Sequence, residues 1–424
     1  MIFHKYKVII LSCIIFFTGD AFTSHVNAKE FWLSPSSQSS KLCTKKECEC
    51  NNQDTCVLSH YLLTQLQAGD TVLFKKGIYP SFEIENLHGT KEYPITFNGS
   101  SSVGKAEISQ NPQNKRDFIE IKSSSHIKLT GFVIKGAPRA AIRVNNSHHI
   151  TVENNHLSKS GVWGIFTNHS NYFAANNNNI LGPAQQHGIY HSNSGDNVKL
   201  TANVIKNFNG CGIHINGDLT MGGASEVTGD GIISNVEITQ NYISGNGLVG
   251  GSAINLDGVE NANIVNNIII KNKAAGISIF KADGAIGSAH VKVTSNLIIM
   301  TKDSRWVVNI KNAGEGNTFN NNIMISQDSF RGIYDVLPVN LKKKNMPFTA
   351  KNNIYGFGRN FVALNDEHYL PLDEWQSDYK NDKDSTKLFY KYVITNNGKL
   401  SQPLGEIAQA RKIPESNPYL SLLF

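Results

Sequence analysis

Apolar residues along this chain come in runs of three to five, set between Asn and Gly corners, and the runs repeat. Gly164-Ile165, Gly188-Ile189 and Gly212-Ile213 follow one another at 24-residue steps, as do Asn155, Asn179 and Asn203. The same punctuation continues at Asn241, Asn267, Asn296, Asn322 and Asn353. A fixed period in the low twenties with β-branched runs is the signature of a solenoid, and the runs are too short for helices. Each repeat is then one coil of a parallel β-helix, which buries its apolar face only by stacking on its neighbours. The pattern predicts an all-β fold: a right-handed, single-stranded parallel β-helix with a short N-terminal capping helix and an irregular C-terminal cap.

The pattern also divides the chain. Residues 1–28 read as a secretory signal, with His4, Lys5 and Lys7 before the apolar run Val8 to Phe17 and a small-residue site at Val26-Asn27-Ala28. Residues 29–67 form a Cys-rich N-terminal segment and cap, in which Leu58, Tyr61, Leu62, Leu63 and Leu66 have helical spacing. The β-helix is expected over 68–330, and a last coil and C-terminal cap over 331–424, with a short helix between Leu370 and Tyr379. Two intervals exceed the period. Their surpluses, Leu219 to Ile232 and Lys281 to Gly287, are expected to overhang one face, where solenoids carry their binding loops. The repeated Asn residues are expected to be structural. Asn tolerates left-handed backbone at corners and stacks its amide in ladders.

Charge and cysteine usage narrow the class. The formal net charge is +6, and loss of Lys5, Lys7 and Asp20 with the leader lowers it by one. This mild basicity suits an acidic partner. No Lys/Arg cluster interleaved with aromatics suggests nucleic acid, and the leader's apolar run is too short to span a bilayer. Cys43, Cys48, Cys50 and Cys56 crowd into fourteen residues. In an exported protein they read as two disulfides with three possible pairings, a zinc site being the rival. Cys211 is expected to be a buried free thiol. The expected location is extracellular or periplasmic.

Strand alternation places the chemistry. With Ile213 and Ile215 inward, His214 and Asn216 face out. Equivalent positions in successive coils form one column of Arg143, Phe166, Tyr190, His214, Asn255, Ser278 and Asn309, and a second of Asn145, Asn168, Ser192, Asn216, Asp257, Phe280 and Lys311. Along this strip a sugar chain would stack on Phe166 and Tyr190 and hydrogen-bond to Asn216, Asn255 and Asp257, with Arg305-Trp306 as a further wall or a surface cation–π pair. His214, Tyr190, Arg143 and Lys281 are the candidate catalytic groups. Asp218 and Asp257, flanking the larger insertion, are candidates for calcium. His148-His149 reads as structural.

The opening Ala68-Gly69-Asp70-Thr71-Val72-Leu73-Phe74, Gly77-Ile78-Tyr79 and Tyr93-Pro94-Ile95-Thr96-Phe97 resembles the first coils of secreted right-handed β-helix proteins, among them pectate lyases and chondroitinase B. Gln186 to Tyr190, Cys211 to Asp218, Gly251 to Val259 and Arg305 to Ile310 resemble the bacterial right-handed parallel β-helix repeat proteins of the carbohydrate-associated type. The resemblance spans roughly 68–330. It implies a carbohydrate-active protein, a polysaccharide lyase or C5-epimerase acting on a uronate polymer, with calcium as the metal such lyases use. Their arrangement of a Lys or Arg base beside a carboxylate-held calcium has no residue-by-residue counterpart here. Both reactions remove the proton at C5, so the substrate carboxylate must be neutralised and a base near neutral pH must reach the proton, a task that suits His214 or a depressed Lys. A glycosidase would need two outward acids in adjacent coils, but Asp257 stands between Asn216 and Phe280. The reading from a different class is a non-catalytic glycan-binding or surface-attachment protein.

Overall fold

The computed structural model describes residues 28–36, 41–45, 48–101, 104–218, 229–337, 346–388, 399–414 and 416–423. The expected leader, most of the Leu219–Ile232 insertion and the basic run at 341–345 therefore lie outside the described residues. Among the described residues the strands stack into three sheets of 12, 13 and 12 strands, joined coil by coil in a right-handed parallel β-helix. Nearly every pairing is parallel and joins one coil to the next; Val362–Leu364 with His368–Leu370, at the C-terminal end of the third sheet, is antiparallel. No helix among them is long and apolar enough to cross a membrane.

The inside is filled by alternate residues of each strand, stacked in files such as Ile165–Ile189–Ile213–Ile254–Ile277–Val308. These side chains are fully buried. At about 25 cal/mol per Å² of apolar area removed from water, such files are the main source of stability.

The Asn residues form the expected ladder, with two corrections. Its members are Asn155, Asn178, Asn203, Asn241, Asn267, Asn296, Asn322 and Asn353. Asn178, not Asn179, is the rung; Asn179 opens the next strand, Asn179–Leu181. In addition, the left-handed residue is the one before each rung, for example Asn154, Asn177, Ala202 and Gln240. The rung itself is buried and fully bonded. Asn203 donates its backbone N–H to Asn241 Oδ1 at 2.9 Å, and its Nδ2 to Ala175 O at 2.7 Å and Asn241 Oδ1 at 3.0 Å.

Both ends are closed. At the N-terminus, Glu30–Leu33 pairs with Thr71–Phe74, and helix α1 (His60–Thr64), capped by Ser59, buries Leu62 and Leu63 against the first coil. The cysteines pair as Cys43–Cys48 and Cys50–Cys56, and Cys211 is free and buried. At the other end, α2 (Leu372–Asp378) seats Trp375 on the last coil. The tail is more regular than its sequence suggested. Helix α3 (Gln402–Arg411) presents Leu404 and Ala408 to an apolar strip on the outside of the second sheet, where Ile268, Ile270, Leu297, Ile299, Ile323 and Ile325 line up.

Candidate functional site

The outer face of the third sheet carries both predicted columns in register. Arg143, Phe166, Tyr190, His214, Asn255, Ser278 and Asn309 are successive partners. So are Asn145, Asn168, Ser192, Asn216, Asp257, Phe280 and Lys311. Coil spacing of about 4.8 Å is close to the separation that stacked rings favour, so the first column becomes a continuous stack. The Arg143 guanidinium lies 4.4 Å from the Phe166 centroid, Phe166 lies 5.1 Å from Tyr190, and Tyr190 lies 5.0 Å from His214. Trp163 leans on Phe166 at 4.5 Å and donates its indole N–H to Gln186 Oε1 at 2.9 Å.

Beside this stack is a groove of about 510 Å³, lined by Arg139, Arg143, Trp163, Phe166, Tyr190 and Asn193 among others. It lies over the first half of the column, toward the N-terminus from His214. Arg139 is tied to the buried Asp117 by a two-pronged ion pair. Arg143 is less committed. Glu120 is 3.6 Å away, and its Nη1 is buried with no partner among the described residues. Burial, reinforced by the neighbouring Arg139, lowers the Arg143 pKa. Burial followed by Asp117 raises that of Glu120.

His214 stands in the outward column, as alternation predicts, and is half-buried there. Its Nδ1 is 3.3 Å from His187 Nε2, and His187 Nδ1 accepts the Cys211 backbone N–H at 2.9 Å. Burial holds His187 down to about 4; burial and then His187 hold His214 well below the usual imidazole value. Both rings are therefore neutral near pH 7. Because a backbone N–H fills His187 Nδ1, the proton of His187 sits on Nε2 and points at His214 Nδ1. The proton of His214 is then on its outer Nε2. In this state His214 presents a hydrogen-bond donor, whereas the sequence suggested the task of a base. The Tyr190 phenol, raised by burial, accepts from Asn216 Nδ2 at 3.3 Å and keeps its own proton to donate.

The same face carries further buried polar atoms without a partner among the described residues: Asn193 Oδ1, Asn216 Oδ1, Asn255 Oδ1, Asn309 Oδ1, Asp335 Oδ1 and His169 Nδ1. Asn216 is 3% exposed and Asn255 6%. An unmet buried acceptor costs about 1–3 kcal/mol.

Other predicted residues fall elsewhere. Asp257 is 1% exposed, and its carboxylate accepts the backbone N–H groups of Ala282, Asp283 and Gly284 at 2.9, 2.8 and 3.2 Å. It anchors the 281–287 loop, so a calcium or sugar site that counted on it loses that ligand. Asp218 bridges to Gly284 of the same loop. Among the described residues, none of the groups close enough to share a metal contains Asp218 or Asp257. Lys281 Nζ donates to Ala285 O within the loop. Trp306 is buried and stacks on Tyr369 at 6.5 Å, several coils from the groove, while Arg305 is exposed beside it. Sequence reasoning missed Trp163, Arg139 and Asn193. Trp163 had a signal, since it opens the strand whose Phe166 was already placed. His148 and His149, read as structural, meet His126 across one coil.

A family model described as NosD, periplasmic copper-binding protein, matches residues 69–237, less than half of the chain. No curated protein matches the sequence. Among solved structures, pectate lyase Pel9A aligns with a TM-score of 0.53 at 15% identity, covering 74% of this chain and 80% of that one. Alginate lyase from Paenibacillus sp. str. FPU-7 aligns at 18% identity over 65% of this chain and 93% of that one, with a TM-score of 0.45. The A-module of the Azotobacter vinelandii mannuronan C-5 epimerase AlgE6 aligns at 13% identity over 79% and 88%, with a TM-score of 0.47. At these identities the likeness concerns architecture: the chain is a right-handed parallel β-helix protein, built on the same plan as pectate lyase Pel9A.

Proposed function

We propose that this protein is an exported, carbohydrate-active β-helix protein that takes an acidic, uronate-containing polysaccharide along the outer face of its third sheet. One observation carries the reading: Arg143, with an unpartnered Nη1, lies on the stack Phe166–Tyr190–His214, and the groove opens beside it. Aromatic rings give a pyranose ring a flat apolar surface, the guanidinium pairs with a carboxylate, and the Asn193, Asn216 and Asn255 carbonyls accept from hydroxyls. The two N-terminal disulfides suit an oxidising compartment, and the periplasmic family match points the same way.

Recognition without turnover is the reading the geometry favours, because His214 donates where elimination needs a proton acceptor. Lyase or epimerase chemistry is the second reading. The specific observation for it is that a carboxylate-neutralising Arg143 and two proton-bearing groups, Tyr190 and His214, stand in successive coils. Calcium, which β-helix lyases use, is left with Asp218 alone of the two acids expected to hold it. Copper, named by the matching family, fits the His187–Cys211–His214 group poorly. Both His187 nitrogens are engaged, and burial raises the Cys211 thiol to about 11.

The test is affinity electrophoresis of the purified protein against a panel of uronans and neutral glucans, with the ultraviolet absorbance of unsaturated product and NMR of the C5 configuration read in parallel. Retardation by uronans alone, without product, is expected. Product would establish the second reading, and equal retardation by neutral glucans would refute both.

A further inference from the structure

Around the corner from the groove, where the chain enters the first sheet, one residue per coil adopts left-handed backbone. Asn fills this position in several coils, at Asn197, Asn235 and Asn261, as expected for the residue that best tolerates it. In two successive earlier coils it is instead a histidine, His126 with φ 53° and His149 with φ 56°, and in the next it is Tyr172. The rings stack along the axis. His126 lies 4.4 Å from His149, and His149 lies 4.3 Å from Tyr172. His148, one residue before His149, turns its edge to both histidines.

The nitrogens lie close together as well as the rings, and His126, stacked on His149, would turn to share an ion with it. His148 Nδ1 and His149 Nδ1 are 2.9 Å apart. His126 Nδ1 is buried with no partner among the described residues. One nitrogen from each of the three rings falls within 4.8 Å of the others. Two donors at about 2.0–2.1 Å from one ion stand roughly 3 Å apart, a spacing that the His148 Nδ1–His149 Nδ1 hydrogen bond matches, with the ion taking the place of the shared proton. His148 and His149 are exposed, which leaves positions for water or an exogenous ligand.

From this convergence we infer that His126, His148 and His149 form a binding site for a divalent transition-metal ion of the copper–nickel–zinc class. Imidazole ligands suit these ions, and copper(II) binds most tightly of the divalent series. The site is separate from the groove and does not depend on the glycan reading.

The test adds copper(II), and separately zinc(II), to the full exported chain and follows calorimetry, the melting temperature and, for copper, nitrogen coupling in the electron paramagnetic resonance spectrum. One equivalent is expected per chain, copper tighter than zinc, with several nitrogens coupled to the copper. His149→Asn keeps a residue suited to the left-handed corner, so the double change His148→Ala with His149→Asn should melt like the parent. It should lose at least a hundredfold in affinity. His290→Ala, at the same corner farther along the stack, should bind as the parent does. No one-to-one complex, an unchanged affinity in the double variant, or an equal loss in His290→Ala would each overturn the site.

Discussion

The second and third sheets share one period and one buried core, yet their outer faces have opposite fates. Outside the second sheet, Ile268, Ile270, Leu297, Ile299, Ile323 and Ile325 make an apolar strip, and the chain's own tail lies over it through Leu400, Leu404, Ala408, Ile413 and Leu423. Outside the third sheet, aromatic, cationic and amide groups remain beside an open groove, several with unmet hydrogen-bonding atoms. Inward positions, which must stack, are nearly interchangeable between the sheets. Outward positions decide whether a face becomes interior or surface. A β-helix can thus change its partner without disturbing its core, and fold alone does not settle function.

Four changes break or sharpen this contrast. The largest effect is expected from Leu404→Asp, which buries a carboxylate against the isoleucine strip. A loss of about 4 kcal/mol should appear as a lower melting temperature and new binding of an apolar dye. If the protein melts unchanged, the tail is not a part of the fold.

Acid comes next. His191 lies inside, with Nε2 donating to Gly195 O at 2.6 Å and Nδ1 bonded to the Thr167 hydroxyl. Burial holds it down to about 4, against about 6.5 when unfolded. The unfolded chain therefore binds the extra proton first. Stability should fall as pH drops from about 6.5 to about 4 and level off below, by up to roughly 3 kcal/mol. His187 titrates in the same sense on the outer face. Melting curves across this window check the slope, and a flat profile would remove both histidines from the account.

Asn267→Ala should cost about 2 kcal/mol, because it strips the Asn241 N–H and the Ile238 carbonyl of their partner. Denaturant unfolding measures it. Arg143→Ala should scarcely shift the melting temperature but weaken uronan binding about tenfold, or about 1.4 kcal/mol. Undiminished retardation in the same electrophoresis would move the site away from Arg143.

How much of this was legible in the sequence depended on whether the determinant was local. The two columns were readable because alternation over Ile213-His214-Ile215 and its repeats sets both face and register. The Asn rung was misplaced because Asn176 to Asn179 are identical, and only the bonds between coils distinguish Asn178. The covered strip was hidden for the opposite reason. Ile268-Ile269-Ile270 has no alternation, so the pattern could not show that a second apolar face existed. The tautomer of His214 depends on His187, 27 residues away, whose own Nδ1 accepts a backbone N–H. His148-His149 looked inert because His126, one coil earlier, supplies the third ring.

The tail that covers the second sheet also sets a length. It runs back along the stack, from Arg411 on Asn352 Oδ1, through Asn417 on the Asn266 and Asn241 carbonyls, to Tyr419 on the Ala202 carbonyl. Each of these anchors belongs to a different coil, and the strap between them has a fixed number of residues. Duplicating or deleting a coil within this span would move the anchors by about 4.8 Å while the strap stayed the same, so the tail acts as a ruler. Repeat proteins gain and lose units readily where each touches only its neighbours. Here the strap makes distant coils answer to one another, and the number of coils between Ala202 and Asn352 becomes a property of the tail as much as of the repeats.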